Sequence, residues 1–483
     1  MARHIEGVSR EQVSLLPERL DDYIGPANLV RVIDRFVERL DAARLGFRMA
    51  VPARTGRPGY SPQVLLKLYV YGYVNGIRSS RKLERSCHQN IEVMWLVQKL
   101  IPDHKTIATF RRESSEAIKN VCMAFVQFCR GEGLLVSPEV AIDGSKIRAA
   151  ASRGRIASQK GVAEDLEKVK GQIDEYLKQL DEADEAEASE LDRQEEAARV
   201  RAILEKLKTK QSGLERLSIA IASSGSTTLV TSEPEARTMI FPGGGKGPGY
   251  NLQIAVSTDT HLIVHHDVVQ DRNDMHQLYP MAVGAQNALG LKSDGENNAS
   301  GKLHVLADKG YSNGEQANRC EAAGIVPVVP PQRAVNTYGE NYFDRTQFTY
   351  DAKTDSYTCP AGQRLTFKQR VPHDKLNRYA ARDCRECLLK AQCTKSSRRS
   401  ITRHWYEAEF ERMAQRTADP DPMRRRKCTA EHPFGSFKGI YGARFLTKSL
   451  KNTRTEAALE VLAYNIKRAI NLIGAPRMLA ALA

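Results

Sequence analysis

Two short apolar strands in this sequence close on an aspartate: "VAID" at Asp143 and "VLAD" at Asp308, each with a glycine within the next two positions. A carboxylate at the carboxyl end of a buried strand stands at the mouth of a sheet, where α/β proteins place reacting groups. Taken singly, such an aspartate is more often a turn former. A third acid makes the set more specific. Glu431 lies in "CTAEHPFGSFK", directly after the basic run "RRRK" at 424–427. An isolated acid among bases is either a surface salt-bridge partner or a metal ligand that must work beside a polyanion. In-line phosphodiester cleavage uses two divalent metals about 3.5–4 Å apart, one for the attacking and one for the leaving oxygen. Asp143, Asp308 and Glu431 together could hold two such Mg²⁺ or Mn²⁺ ions and leave positions open for phosphate. Lys146, Lys309, Lys427 and Lys438 lie close by in sequence and would hold a DNA backbone.

A second constellation is sulfur. Cys359, Cys384, Cys387 and Cys393 give the spacing C-x24-C-x2-C-x5-C. Four thiolates would close a structural Zn²⁺ site; the alternative is four packed thiols without metal. Cys87, Cys122, Cys129, Cys320 and Cys428 read as ordinary buried residues.

The rest of the chain must position these groups. Its 483 residues suffice for two to four domains with a large core. Nine cysteines, an odd number, without a visible leader argue against a disulfide framework. No apolar run reaches the roughly 18 residues of a membrane span. The start "MARHIEGVSREQVSLLPERL" has no apolar h-region, so a cytoplasmic protein is expected. The net charge is +14, yet residues 161–210 hold 15 acids against 9 bases. The remainder is therefore more basic still, a distribution that suits contact with nucleic acid.

Residues 1–135 read as helical. Ser61 and Pro62 open one helix as N-cap and first residue, and Asp103 caps another that presents Arg111 and Arg112 after Phe110. Short helices joined by a capped turn suit either a helix-turn-helix or a plain bundle. Residues 156–217 are acidic, with Leu166, Val169, Ile173, Leu177, Leu180, Val200, Leu204, Leu207, Leu214 and Leu217 at helical spacing, which predicts a helical hairpin. "YNLQIAVS" and "LIVHHDVV" form a strand pair about the turn "TDT", and "NDMHQLYPMAVGAQNAL" a helix capped by Asn273 or Asp274. Residues 351–420 are polar and cysteine-bearing, with few long apolar runs. The basic C-terminal segment is helical, and Pro433 predicts a kink or a restart.

The ordered combination "YSPQVLLKLYVYGY…PDHKTIATFRR", "AIDGSKIRAAAS", "YNLQIAVS", "VLADKGYSN" and "EHPFGSFK" resembles the bacterial insertion-sequence transposases of the DDE type, and covers most of the chain. The resemblance implies an RNase H-like catalytic core, a mixed sheet flanked by helices. It implies a helical N-terminal DNA-binding domain over 1–135 and a core over 136–350 interrupted by the 156–217 hairpin. A Cys-rich insertion over 351–420 and a last core segment over 421–483 with the glutamate helix complete the implied order. It implies Asp143, Asp308 and Glu431 as the metal-binding triad, and double-stranded DNA as substrate, both element ends and target. A homo-oligomer at the nucleoid is expected on the same basis. Relatives carry Arg four residues and Tyr seven residues before the glutamate; here those positions are Lys427 and Arg424, while Lys438 stands seven after it as expected. On a continuous helix Lys427, Glu431 and Lys438 share a face. His432 is expected to make a hydrogen bond and Phe434 to pack in the core. The rival activities are a metal-dependent nuclease without strand transfer, and a transposase-derived DNA-binding protein.

Overall fold

The computed structural model describes residues 19–51, 58–185, 190–291, 301–332 and 342–483. They form a mixed α/β protein in two units that do not follow chain order. One comprises Met1–Val136, Gly144–Asn273 and Glu431–Ala483; the other comprises Ser137–Asp143 and Asp274–Ala430. Asp143, Asp274 and Glu431 each sit at a point where the chain passes from one unit to the other.

The first unit is built on helices. Pro62–Val74 begins as its sequence demands: the Ser61 side chain accepts the Gln63 N–H, and Pro62 occupies the first turn. It is apolar almost all round, so it is buried, with Leu65, Leu68, Tyr69 and Tyr73 at 0% exposure. Its one inward lysine, Lys67, is paired with Asp34 at 2.6 Å and with Glu38. The helix Leu450–Ile473 packs on Pro62–Val74, on Ser115–Gly131 and on the strand Ile263–Val269. That strand runs antiparallel to Lys246–Ser257, from Asn251↔Val269 to Val256↔Ile263, which is the hairpin expected about "TDT".

The acidic segment forms two long helices, Gln159–Glu185 and Glu190–Ser223. Val169, Ile173, Val200 and Leu204 make a core between them, and Val162, Ile221 and Leu229 make a second at their base. There a two-stranded ribbon, Ile156–Ser158 with Thr228–Val230, ties the ends together. The Leu180 side chain lies outside the described residues, as does the N-terminal stretch 1–18.

The second unit is organised on short parallel strands. The strand Glu139–Arg148 contributes its first half, paired with His304–Leu306, which pairs in turn with Val326–Val328. Val140, Ala141 and Ile142 are fully buried, as a parallel strand covered on both faces requires. A five-stranded antiparallel sheet occupies the cysteine-bearing segment, in the order Ser400–His404, Leu376–Ala381, Arg364–Val371, Ser356–Thr358, Thr349–Asp351. This segment has more core than its composition suggests. Phe348, Tyr357, Leu365, Tyr379 and Ile401 are buried together, and the Tyr357 and Tyr379 rings meet edge to face at 5.3 Å. Arg345 pairs with Glu407, and Glu321 binds Arg412 at 2.6 Å and Arg416 at 2.8 Å, fixing the helix Glu407–Arg416 beside Gly314–Ala322.

Three local expectations are corrected. The first strand does not end on Asp143 but runs on to Arg148 through Gly144, so Asp143 is a mid-strand residue. The helix after "NDMHQ" is Leu278–Ala288 with Gln277 at its N-cap, so neither Asn273 nor Asp274 caps it. Of the kink or restart expected at Pro433, the restart is absent: the helix Asp421–Tyr441 runs on through it.

Candidate active site

The buried stripe of the helix Asp421–Tyr441 decides which of its residues meets the aspartates. Met423 and Ala430 pack against Ala141, Leu306 and Val328 of the parallel strands. Arg426 falls between them at helical spacing and therefore points the same way. Its Nη2 lies 2.7 Å from Asp143 Oδ1 and 3.5 Å from Asp308 Oδ2, with the arginine side chain 13% exposed. The neighbouring Arg425 turns aside to Glu139, through two bonds of 3.0 Å. Arg424 pairs with Asp421 on the surface.

Asp308 is held by its own turn. It is the N-cap of the single-turn helix Lys309–Tyr311, its Oδ1 accepting the Gly310 N–H at 2.8 Å. A Cβ on Gly310 would lie 3.0 Å from that same carboxylate oxygen, so a side chain there would crowd the cap. Tyr311 is fully buried. Burial holds its hydroxyl well above the usual phenol range, and the charges of Asp274, Asp143 and Asp308 push the same way against Arg426. Asp274 therefore belongs to this electrostatic cluster, and Oδ2 of Asp274 stands 3.9 Å from the position of a Gly310 Cβ.

Asp143 and Asp308 thus converge on a single cationic nitrogen. This donor set suits a hard cation, because two carboxylates already share one positive charge. Among the described residues, no group of three or more His, Cys, Asp or Glu side chains is drawn in to metal-binding distance. Glu431 lies five residues beyond Arg426 on the same helix, in the other unit, and is exposed. Lys427 and Lys438 are exposed as well, one position off the buried stripe. His432 Nδ1 is 2.8 Å from the Tyr464 hydroxyl, and Phe434 is 5% exposed, both as their sequence setting suggests.

The sulfur cluster lies in the second unit. Cys359, Cys384, Cys387 and Cys393 line one cavity with Phe343, Leu365 and Arg399. Two of the sulfurs accept backbone N–H groups: Cys359 from Gln363 at 3.3 Å and Cys384 from Arg399 at 3.4 Å. Burial pushes the Cys393 thiol up, Arg399 pulls it down, and the other three cysteines each push it up. Four thiols are soft-metal donors by type, but among the described residues they are not drawn in to metal-binding distance. Of the cysteines expected to be buried, Cys87, Cys122, Cys129 and Cys320 are, but Cys428 is exposed, because its helix turns that position to solvent.

The basic residues sort unevenly. Arg112 is exposed, with its side chain 65% accessible, and Lys309 is exposed beside Asp308. Lys146 is half-buried on its strand. Arg111 is corrected: its guanidinium packs 5.7 Å from the Tyr69 ring centre, inside the helical unit, and is not a free surface cation. Sequence reasoning missed Arg81, Lys82 and Arg85, which are exposed on the helix Ser80–Gln89. It also missed Arg426 and Asp274. The stripe Met423, Arg426, Ala430 was the available signal for the first; nothing local marks the second.

Comparison with known families finds two matches. Residues 18–113 match "Transposase domain (DUF772)", and residues 358–470 match "Transposase DDE domain". The second segment contains Glu431 and the four clustered cysteines, while Asp143 and Asp308 lie outside both. No curated protein matches, and no solved structure matches.

Proposed function

We propose that the chain, which matches a transposase domain at residues 18–113 and a transposase DDE domain at 358–470, is an insertion-sequence DDE transposase that cuts DNA at the ends of its own element and joins them to a new duplex. The observation that carries the reading is the convergence of Asp143 and Asp308 on one cationic position. Bound Mg²⁺ or Mn²⁺ supplies a Lewis acid and an activated oxygen nucleophile. Asp143 and Asp308 would hold the cation, and Glu431 is the third ligand that the resemblance to DDE transposases implies. Lys309, Lys427 and Lys438, with Lys146, neutralise the phosphates around the cut. Water is the nucleophile for cutting and a freed 3′ hydroxyl for joining. Arg112, with Arg81, Lys82 and Arg85, grips the duplex from the N-terminal helices.

The domain order we assign is a DNA-binding 1–135 and an RNase H-like core over 136–350 and 421–483. The core is interrupted by the 156–217 hairpin and the 351–420 insertion. In that insertion Cys359, Cys384, Cys387 and Cys393 are read as ligands of a structural Zn²⁺, separate from the catalytic metal. Synapsis of two ends calls for a homo-oligomer, and the DNA substrate places the protein in the cytoplasm at the nucleoid. Among the described residues no helix is long and apolar enough to cross a membrane.

The test is strand transfer. A labelled duplex with a pre-cut 3′ hydroxyl element end is incubated with protein, Mg²⁺ and a circular target. Covalent joining of label to target supports the reading. Hydrolysis of the DNA without joining assigns a nuclease instead.

A further inference from the structure

Three arginines follow one another at 424–426, and only Arg426 is turned inward onto the aspartates. Its Nη2 touches both Asp143 and Asp308, while its buried Nε has no hydrogen-bond partner. That is an uneconomical arrangement for a purely structural arginine, whose planar fork ordinarily engages carboxylates through two parallel bonds. Arg425, one residue earlier, does so with Glu139. Arg426 instead places a single nitrogen between two carboxylates, one in the strand Glu139–Arg148 and one capping the turn Lys309–Tyr311, where a shared cation would sit.

A guanidinium and a divalent cation cannot both occupy that position, since like charges at contact distance repel. Without metal, the single guanidinium charge offsets the repulsion between the two carboxylates that face it. With metal, the arginine must move off. Its helix anchors it through Met423 and Ala430, so only the side chain can swing, and its long stem keeps the guanidinium within reach of the same site. The group that approaches such a site in catalysis is a phosphodiester, which a planar guanidinium binds with two oxygens.

We propose that Arg426 is a built-in counter-cation that keeps Asp143 and Asp308 ready, yields them to the divalent cation, and then takes the DNA phosphate. The inference rests on the reading of these aspartates as metal ligands. It assigns Arg426 a positioning role in the metal-free protein and a phosphate contact in the loaded one. It also makes metal and DNA binding mutually reinforcing, because each frees or engages the same guanidinium.

The first measurement is Mn²⁺ binding by electron paramagnetic resonance, on wild type, Arg426→Gln and Asp308→Asn. Removing the competing charge should tighten Mn²⁺ in Arg426→Gln by roughly tenfold, and Asp308→Asn should weaken it. Mn²⁺ binding that Asp308→Asn leaves unchanged would remove the underlying metal reading. Binding weakened by Asp308→Asn but not tightened in Arg426→Gln would leave the metal site and overturn the role of Arg426. The second measurement needs no variant. Phenylglyoxal modification of wild-type Arg426, followed by mass spectrometry, should rise when Mn²⁺ is added and fall again when a short duplex is added. Reactivity that does not respond to Mn²⁺ would overturn the exchange, and reactivity that rises but ignores DNA would overturn the phosphate contact.

Discussion

Arg426 Nη2 stands 2.7 Å from Asp143 Oδ1, the aspartate lying in the middle of a strand and the arginine on the buried stripe of a helix. Both side chains are largely buried, at 13% and 19% exposure, so the pair matters to stability as well as to chemistry. Asp308 differs, being 47% exposed and engaged mainly as a turn cap. Asp143→Asn should cost about 1–2 kcal/mol, less than a full buried-pair loss because Arg426 keeps Asp308. Asp308→Asn should cost well under 1 kcal/mol, since asparagine caps as well as aspartate, whereas Asp308→Ala should cost about 1 kcal/mol. Urea unfolding of the three variants checks the order; equal losses would mean that the ion pair and the cap have been misassigned.

A pH dependence follows from the first unit. Glu460 is buried on the helix Leu450–Ile473 beside Glu456 and within 3.2 Å of Arg78. Burial, with the Glu456 charge adding to it, pushes the Glu460 carboxyl up to about 8, despite Arg78. The folded state then holds a proton that the unfolded chain releases near its ordinary value of 4.5. Stability from this group is complete below about pH 4.5 and is lost as pH rises through 8, by at most about 1.4 kcal/mol per pH unit. Melting curves of wild type should fall between pH 5 and 8, and those of Glu460→Gln should fall less. Parallel curves would show that Glu460 is charged in the fold.

The helical hairpin should behave as a separate cooperative element. Its core residues Val169, Ile173, Val200 and Leu204 pack on one another. Val169→Asp, which buries a charge at a 1% exposed site, should open it at a cost of several kcal/mol. Hydrogen exchange should then rise across 159–223 while the helix Leu450–Ile473 stays protected. Loss of protection in that helix as well would show that the hairpin is part of the first unit's core.

Zinc is checked by elemental analysis. Protein purified without chelator should carry about one Zn²⁺ per chain, and Cys384→Ser should carry less. Because Phe348, Tyr357, Leu365 and Tyr379 already form a core, the five-stranded sheet should be loosened but still present. No zinc in wild type, with an unchanged melting temperature in Cys384→Ser, would leave four packed thiols.

Elements whose pattern is repeated were legible in the sequence. The caps at Ser61 and Asp103, the hairpin about "TDT" and the acidic helix pair stand where spacing put them. What failed depended on tertiary context. Gly144 looked like a strand end, but the strand continues to Arg148, with the Arg148 N–H bonded to the Ala443 carbonyl far along the chain. Pro433 predicted a kink or a restart, and the restart is absent: the helix is continuous there, with Ala430, Phe434 and Phe437 buried along it. The helical phase that groups Lys427, Glu431 and Lys438 is correct as a face, yet it is the exposed one. Arg426, one position away, reaches the aspartates, and only the packing of Met423 and Ala430 reveals it. Asp274 and Tyr311 joined the cluster through folding alone.

One cleavage measurement tests the roles of Asp143, Asp308 and Glu431 most directly. Wild-type protein, Asp143→Asn, Asp308→Asn and Glu431→Gln are each incubated with Mg²⁺ and a labelled duplex that carries the element end in its flanking DNA. Wild type should cut at the element boundary. Each variant should lose at least about 10²–10³-fold in rate while still binding the duplex. A variant that cuts at near wild-type rate would remove its residue from the triad, and cutting retained by all three would contradict the proposed chemistry.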